Sequence, residues 1–282
     1  MSIARSAGID RGIVAAIVLL SAALTAAQTS DAQQRCHGYS AAASSDPVPA
    51  IRACTTVIES PEFTRDQTLD ALAARGALFR RTGQFDFAIV DLTEVLRNRT
   101  DADAVYAERG MVFVADKEIG RAILDFDDAI RINPDNRVAL GQRAALYRTG
   151  GRYDEAIRDL NRAVALDRDD PWAVSERGLD YLAKGNFDLA IADFSRALEL
   201  TPTSAWTIAE RGIAYLRAGK VASAIADLDR ALELDDGDAW ALFARGVARK
   251  RAGDEAGGNR DIAASMKLWP NVAAAAGAEG IR

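Results

Sequence analysis

The chain has 282 residues, of which 49% are hydrophobic and 27% are charged, and its formal net charge is −6. It can therefore bury ample apolar surface, and it lacks the basic stripe that nucleic-acid binding ordinarily needs. The single histidine, His37, excludes a histidine-dependent catalytic triad in the rest of the chain. No phosphate-binding glycine loop or HExxH motif is present. We therefore expect no enzyme activity, no cofactor and no metal.

Residues 1–32 have the outline of an export signal. Arg5 and Arg11 precede sixteen uncharged residues, and small residues follow them. A helix of that length reaches about 24 Å, short of the roughly 30 Å hydrocarbon core, so a cleaved signal is favoured over a membrane anchor. Ala27 and Ala32 are the candidate cleavage positions, and Ala32 is preferred. The mature protein is expected to be periplasmic or secreted, with no membrane span.

The only two cysteines, Cys36 and Cys54, lie in the segment 33–68 that follows this signal. Two cysteines in an exported chain predict one disulfide bond. A metal site of Cys36, His37 and Cys54 is the alternative, but no fourth ligand lies nearby in the sequence.

From there the chain repeats with a fixed period of 34 residues, which indicates a stack of small helical units. An arginine followed by a small residue marks each copy, at Arg75-Gly76, Arg109-Gly110, Arg143-Ala144, Arg177-Gly178, Arg211-Gly212 and Arg245-Gly246. The marks define six blocks without insertions, 69–102, 103–136, 137–170, 171–204, 205–238 and 239–272.

Each block predicts a helical hairpin. In the fourth block, Asp170 is a suitable N-cap and Pro171 suits the first turn, so a helix is expected over 171–184. Gly185 can take the left-handed conformation that ends a helix, and a second helix is expected over 187–200. Glycines at the same place in other blocks are Gly83, Gly151, Gly219 and Gly253.

Side chains within the hairpin also follow columns. In the fourth block, Gly178 and Ala190 are small, so the two helices are expected to approach closely there, with Tyr181 and Phe194 filling the space beside them. Pro202 follows the second helix. This pattern resembles the tetratricopeptide repeat (TPR). The resemblance implies an all-α fold, a right-handed superhelical solenoid of helix-turn-helix hairpins over 69–272. Residues 273–282 are then a C-terminal capping tail.

The segment 33–68 is interpreted as an N-terminal capping half repeat. Residues 47–60 match the second helix of a degenerate repeat, and a loop over 61–68 is expected to join them to the first full block. The disulfide would take the place of the missing helix.

A matching aspartate accompanies every arginine of the repeat mark. Its positions are Asp91, Asp125, Asp159, Asp193, Asp227 and Asp261. Opposite charges kept in step on neighbouring helices predict a ladder of ion pairs, within or between repeats. The alternative, that the arginines bind an anionic ligand, is disfavoured because an aspartate in every copy would neutralise them.

Three tryptophans, Trp172, Trp206 and Trp240, also lie 34 residues apart, at the second position of their blocks. In tetratricopeptide proteins the first helices line the concave groove, so the resemblance implies a partner-binding groove made of Trp172, Glu176, Leu179, Leu182, Trp206, Glu210, Ile213, Leu216, Trp240, Phe243 and Val247. The other reading is that each tryptophan packs on the preceding inter-repeat turn and seals the stack. The lysine and asparagine clamp that some family members use for carboxylates is absent from the corresponding positions.

These features predict a non-enzymatic scaffold or assembly factor of the bacterial cell envelope that binds a partner protein or peptide in its concave groove. Two other functions stay open: an envelope glycan-binding protein that uses the tryptophans, and a self-associating structural protein, which would be a homo-oligomer.

Overall fold

The computed structural model describes residues 30–36, 38, 46–278 and 280–281. The chain forms two compact units, Met1–Ile132 and Asn133–Arg282. Every regular element in the described ranges is an α-helix. The predicted all-α repeat fold is confirmed.

In the first unit a short helical segment at 30–36 precedes five longer helices. These are α1 (Val48–Glu59), α2 (Arg65–Arg81), α3 (Phe85–Asn98), α4 (Asp103–Ala115) and α5 (Ile119–Ile132). The second unit contains α6 (Arg137–Thr149), α7 (Tyr153–Leu166), α8 (Pro171–Ala183), α9 (Phe187–Leu200), α10 (Ala205–Arg217), α11 (Val221–Leu234), α12 (Ala239–Arg251), α13 (Glu255–Leu268) and α14 (Val272–Ala278).

The start and stop signals act as the sequence predicts. The Asp170 side chain accepts hydrogen bonds from the backbone N–H groups of Trp172 and Ala173, at 3.0 and 3.3 Å, and so caps α8. Gly185, at φ +80°, ends the first helix of that hairpin and allows α9 to turn back against it. The second block breaks the rule, because Lys117 occupies the glycine place with φ 64°.

The first full repeat begins earlier than its block. Thr64 accepts a hydrogen bond from Gln67 N at 3.3 Å, and the Gln67 side chain accepts one from Thr64 N at 2.9 Å. This capping box starts α2 at Arg65. The predicted loop over 61–68 was therefore too long, because its second half is the first turn of a helix.

The small residue after each arginine makes room for a side chain of the second helix. A Cβ atom added to Gly178 would lie 2.9 Å from Cε1 of Phe194, so the glycine makes room for the aromatic ring. The sequence had instead suggested that it makes room for the helix backbone near Ala190. In the last repeat a Cβ on Gly246 would lie 2.7 Å from Cγ1 of Ile262 and 2.9 Å from the Gly258 carbonyl oxygen, so a side chain and a backbone both approach this glycine.

The predicted ladder of arginine and aspartate pairs is confirmed. Within one repeat, Arg177 donates from Nε and Nη2 to the two carboxylate oxygens of Asp193, at 2.8 and 2.7 Å. Its Nη1 donates to Asn161 in the second helix of the preceding repeat, at 2.9 Å. The same paired geometry occurs in all six blocks, at Arg75–Asp91, Arg109–Asp125, Arg143–Asp159, Arg177–Asp193, Arg211–Asp227 and Arg245–Asp261. The ladder therefore joins helices both within and between repeats.

These pairs are more buried than surface ion pairs usually are. The arginine side chains are 15–20% exposed and the aspartate side chains 6–13%. In the first five blocks the guanidinium also lies near the aromatic ring four residues later on its own helix; the Arg177 to Tyr181 distance is 5.9 Å, within reach of a cation–π contact. Substitution in the ladder should cost more than the 0–1 kcal/mol typical of exposed pairs.

The N-terminal segment is attached through its cysteines. Cys36 and Cys54 form the predicted disulfide bond, which joins the segment at 30–36 to α1, and both residues are buried. Gln67 of α2 donates a hydrogen bond to Gln33 of the same segment, at 3.2 Å.

At the other end, the predicted capping tail is largely helical. Helix α14 begins at Val272 and packs on α12 and α13. Val272, Ala276 and Ile281 are buried in the core of the second unit, so they cover apolar surface that the last hairpin would otherwise expose.

Most of the predicted export signal, residues 1–29, lies outside the described residues. Among the residues that are described, no helix has the length and apolar character needed to cross a membrane.

Candidate functional site

The second unit contains a cavity of about 840 Å³, a volume typical of ligand-binding pockets. Its walls come mainly from the first helices of successive repeats and from α14. The lining residues are Arg148, Thr149, Tyr153, Leu179, Leu182, Ala183, Trp206, Glu210, Ile213, Arg217, Asp238, Trp240, Trp269, Ala275 and Ala278. Below, this cavity is called the tryptophan pocket.

Three indole rings form its aromatic wall. Trp206 and Trp269 are 45% and 41% exposed, and the rings of Trp240 and Trp269 lie 5.9 Å apart between centroids, tilted by 34°. Asp238 fixes the beginning of α12 by accepting hydrogen bonds from the N–H groups of Trp240 and Ala241, at 2.8 and 3.0 Å. Helix capping thus positions one of the three rings.

The pocket also carries balanced charges. Arg148 and Arg217 are its basic residues, and Glu210 and Asp238 are its acidic ones. The Arg217 guanidinium lies 5.1 Å from the ring centre of Phe187. An apolar surface with a few charged groups suits a ligand that is itself partly apolar and partly polar.

The structure brings together about half of the predicted groove residues. Leu179, Leu182, Trp206, Glu210, Ile213 and Trp240 all line the tryptophan pocket. Leu216 is completely buried and offers no surface to a ligand. Phe243 and Val247 line a smaller, separate hollow with Lys250, Arg251 and Ile262.

Trp172 has a different role from the other two tryptophans of the stripe. It does not line the pocket, and a Cβ atom added to Gly141 in the preceding repeat would lie only 2.6 Å from Cη2 of its ring. Its indole therefore packs on a glycine of α6, the first helix of the preceding repeat, and not on the inter-repeat turn that the sealing interpretation named. The periodic stripe combines one tryptophan packed on the preceding repeat with two tryptophans of the pocket.

Sequence reasoning missed Trp269, Ala275 and Ala278. Trp269 follows α13 and α14 comes after the last block, so neither belongs to the periodic column that pointed to the groove. The available signal was the fourth tryptophan of the chain, next to a predicted capping segment.

Asp180 is an unusual residue of α8 that lies behind Arg148 of the pocket and does not itself line the cavity. It is fully buried, and neither of its carboxylate oxygens has a hydrogen-bond partner within the described chain. Burial raises its pKa to about 7; the positive charge of Arg148, whose Nε lies 3.8 Å away, opposes this rise, and the negative charge of Glu176 adds to it. Other blocks place apolar residues in this column, namely Leu78, Val112, Leu146, Ala214 and Ala248.

Arg148 is held by Glu176. The Arg148 Nη2 donates to the Glu176 carboxylate and its Nη1 to the Glu176 backbone oxygen, the latter at 3.3 Å. Glu176, predicted to face the groove, thus acts by orienting an arginine of the pocket.

No group of three or more histidine, cysteine, aspartate or glutamate side chains is arranged to hold a metal ion in the part of the chain that the structure describes. The alternative metal site at Cys36 and Cys54 conflicts with their disulfide, which leaves no thiolate to bind a metal; His37 lies outside the described residues.

Comparison with known families identifies the repeat. Models of the TPR repeat match residues 144–181 and 178–219, and a tetratricopeptide repeat model matches residues 210–258. The chain contains tetratricopeptide repeats. The matched region includes most of the tryptophan pocket, so the pocket is built largely on TPR hairpins. A comparison with curated proteins finds no matching relative.

Solved TPR structures share the fold at low sequence identity. A tetratricopeptide repeat protein from Parabacteroides merdae is 18% identical, with a TM-score of 0.62 over 86% of this chain and 93% of its own. PilW, described as a widely conserved type IV pilus biogenesis factor, is 18% identical, with a TM-score of 0.63 over 72% and 94%. YrrB, described as a TPR protein with an unusual peptide-binding site, is 17% identical, with a TM-score of 0.56 over 67% and 97%.

Proposed function

We propose that this TPR protein is a non-enzymatic scaffold that binds a segment of a partner protein in the tryptophan pocket. The pocket itself is the main support, because three tryptophans and several aliphatic side chains line a cavity of about 840 Å³. Large aromatic residues are frequent anchors of protein interfaces. The likeness to YrrB, which has a peptide-binding site, and to PilW, a pilus biogenesis factor, is consistent with a role in binding or assembly.

We further propose that the protein acts in the cell envelope of a bacterium, in the periplasm or as a secreted protein. The basis is the export signal that the sequence predicts, together with the disulfide, a bond that persists in oxidising compartments. Ala32 packs with Cys36 and α1 in the described helical segment, so cleavage after Ala27 would preserve this packing better than cleavage after Ala32. Mass spectrometry of the exported protein will distinguish the two products.

The chain offers a matched pair of tryptophans to test the pocket. Trp172 and Trp206 occupy the same repeat position and are equally exposed, at 45%, but only Trp206 lines the pocket. Wild type, Trp172→Ala and Trp206→Ala proteins are used as baits in envelope extract, after circular dichroism shows that all three are folded. A specific partner should be retained by Trp172→Ala and lost by Trp206→Ala. Equal retention by all three baits would contradict the proposed site.

Binding of an envelope glycan is the second candidate, favoured by the exposed faces of Trp206 and Trp269. Titration of solubilised envelope glycans against tryptophan fluorescence separates the two. Saturable quenching that Trp206→Ala abolishes, with no protein partner captured, would favour the glycan. Self-association is tested by light scattering of the purified protein.

A further inference from the structure

Another repeat has a valine, Val112, at the position equivalent to Asp180, and it shows whether the hairpin requires an acid there. Arg80 donates to Glu108 at 2.6 Å, in the same repeat positions as Arg148 and Glu176. Beside the Arg80–Glu108 pair, this equivalent residue, Val112, is fully buried. The arginine–glutamate contact and the hairpin therefore form without an acid at this position, and the buried carboxyl group calls for a separate explanation.

Arg148 connects this acid with the tryptophan pocket. Its side chain is 23% exposed and lines the pocket beside Thr149 and Tyr153. A guanidinium has five N–H donors, and Glu176 takes two of them. Arg148 therefore retains donors for an anionic group of a ligand, while the carboxyl group of Asp180, which has no hydrogen-bond partner, lies behind it.

We propose that Asp180 is a proton-linked switch that controls binding of a peptide carboxylate at Arg148. When Asp180 is neutral, the charge of Arg148 is shared between Glu176 and the carboxylate of the ligand. When Asp180 is ionised, a second fixed negative charge competes for the same guanidinium and repels the ligand. The proposal rests on the proposed function, because it takes a peptide with a large apolar side chain as the occupant of the tryptophan pocket.

The direction of the pH effect follows from the groups around Asp180. Arg148 on α6 and Glu176 on α8 are the charged groups that act on it, and the described titratable residues of α7, α9 and α10, which also pack on α8, do not contribute. Its pKa of about 7 means that Asp180 changes its ionisation between pH 5.5 and 8.5. A peptide carboxylate stays ionised throughout that range. Binding therefore takes up a proton, and affinity falls as the pH rises.

Three synthetic peptides serve as probes: acetyl-Leu-Leu-Phe with a free carboxylate, the same peptide as its amide, and acetyl-Leu-Asp-Phe amide. The second lacks the anion, and the third carries it on a side chain instead of the chain end. Affinities are measured by calorimetry at pH 5.5 and 8.5 for wild type, Asp180→Asn and Trp206→Ala. Carbon-13 spectra of the carboxyl groups, compared between wild type and Asp180→Asn, follow the ionisation of Asp180 directly.

We expect wild type to bind one of the two carboxylate peptides about tenfold more tightly at pH 5.5 than at pH 8.5, as one additional charge nearby would cause. The favoured peptide identifies the source of the carboxylate. Asp180→Asn should bind that peptide at pH 8.5 as tightly as wild type does at pH 5.5, a gain that misfolding cannot produce. The neutral amide should bind more weakly, with no dependence on pH.

The proposal is overturned if wild-type affinity does not depend on pH, or if Asp180→Asn keeps the dependence. It is also overturned if no peptide binds, or if the amide binds as well as the carboxylate peptides. Carbon-13 spectra that show Asp180 ionised at pH 5.5 would overturn it as well. Trp206→Ala separates this proposal from the proposed function, because it should weaken all the peptides equally. A pH-dependent carboxylate affinity that Trp206→Ala leaves unchanged would support the switch and reject the aromatic pocket.

Discussion

Arg177 donates hydrogen bonds to both carboxylate oxygens of Asp193, which lies on the other helix of the same TPR hairpin, with N to O distances of 2.8 and 2.7 Å. The Asp193 side chain is only 11% exposed, so water cannot readily replace the arginine if the pair is broken. The hydrogen bond that Arg177 donates to Asp193 is the largest cause of the raised pKa of Arg177, which means that the charged form is favoured in the folded protein.

Removing one member of this pair should therefore destabilise the protein strongly. We expect Asp193→Ala to lower the free energy of unfolding by about 2–4 kcal/mol, because it leaves a largely buried guanidinium without its carboxylate. Urea denaturation followed by circular dichroism measures the change. The matched control is Glu199→Ala, which removes the exposed partner of Arg196 on the same helix and should cost at most about 0.5 kcal/mol. Similar losses for both variants would show that the burial of the ladder has no energetic consequence.

The ladder was predictable because two charged residue types stay constant in all six blocks. Its third contact was not, because the acceptor changes from repeat to repeat: Arg109 donates to Thr93, Arg177 to Asn161, Arg211 to Ser195 and Arg245 to Asp229. These side chains share an oxygen acceptor but not a residue name. Aligning the repeats by residue type therefore does not show that this position always supplies a hydrogen-bond acceptor.

The candidate site was only partly predictable for a related reason. Periodicity pointed to Trp206 and Trp240, which repeat, and could not indicate Trp269 or α14, which occur once. It also grouped Trp172 with them, although the neighbouring Gly141 gives that ring a different place to pack. Asp180 is the one acidic residue at a repeat position that is otherwise apolar, and a consensus taken over the repeats does not show a residue that occurs once. Features that occur only once distinguish this array from a generic TPR stack.

Two helical glycines with different surroundings should respond in opposite ways to replacement by alanine. A Cβ on Gly178 would lie 2.9 to 3.2 Å from three ring atoms of Phe194, so Gly178→Ala should destabilise by about 1–3 kcal/mol. Gly120, in α5, has nothing within 4 Å of such an atom, and Gly120→Ala should stabilise by about 1 kcal/mol through helix propensity. Thermal unfolding of both variants tests whether the melting temperature falls for Gly178→Ala and rises for Gly120→Ala. A stabilising Gly178→Ala would mean that the ring of Phe194 moves aside without cost.

Lys117 is the one non-glycine residue with positive φ in the described chain, at 64°. The five glycines at the equivalent place, Gly83, Gly151, Gly185, Gly219 and Gly253, have φ between 72° and 90°. Lys117→Gly should stabilise the protein by about 1 kcal/mol, because the left-handed conformation is unfavourable for a residue with a Cβ. The converse variant Gly151→Lys should destabilise by a similar amount, measured by the midpoint of urea unfolding. A loss of stability in Lys117→Gly would indicate that the greater freedom of glycine in the unfolded chain outweighs the relief.

Asp180 should make the stability of the protein depend on pH even without a ligand. Its pKa is about 7 in the folded protein and about 3.9 in an unfolded chain, so between these values the folded state holds a proton that the unfolded state has lost. Its contribution to stability is therefore complete below about pH 4, decreases as the pH rises, and is gone above about pH 7. Relative to Asp180→Asn, which cannot ionise, wild type should lose on the order of 3 kcal/mol between pH 5 and pH 8. Urea unfolding of both proteins at half-unit pH steps measures this difference, and taking the difference cancels the titration of all other groups. Parallel stability curves for the two proteins would mean that Asp180 is already ionised at pH 5.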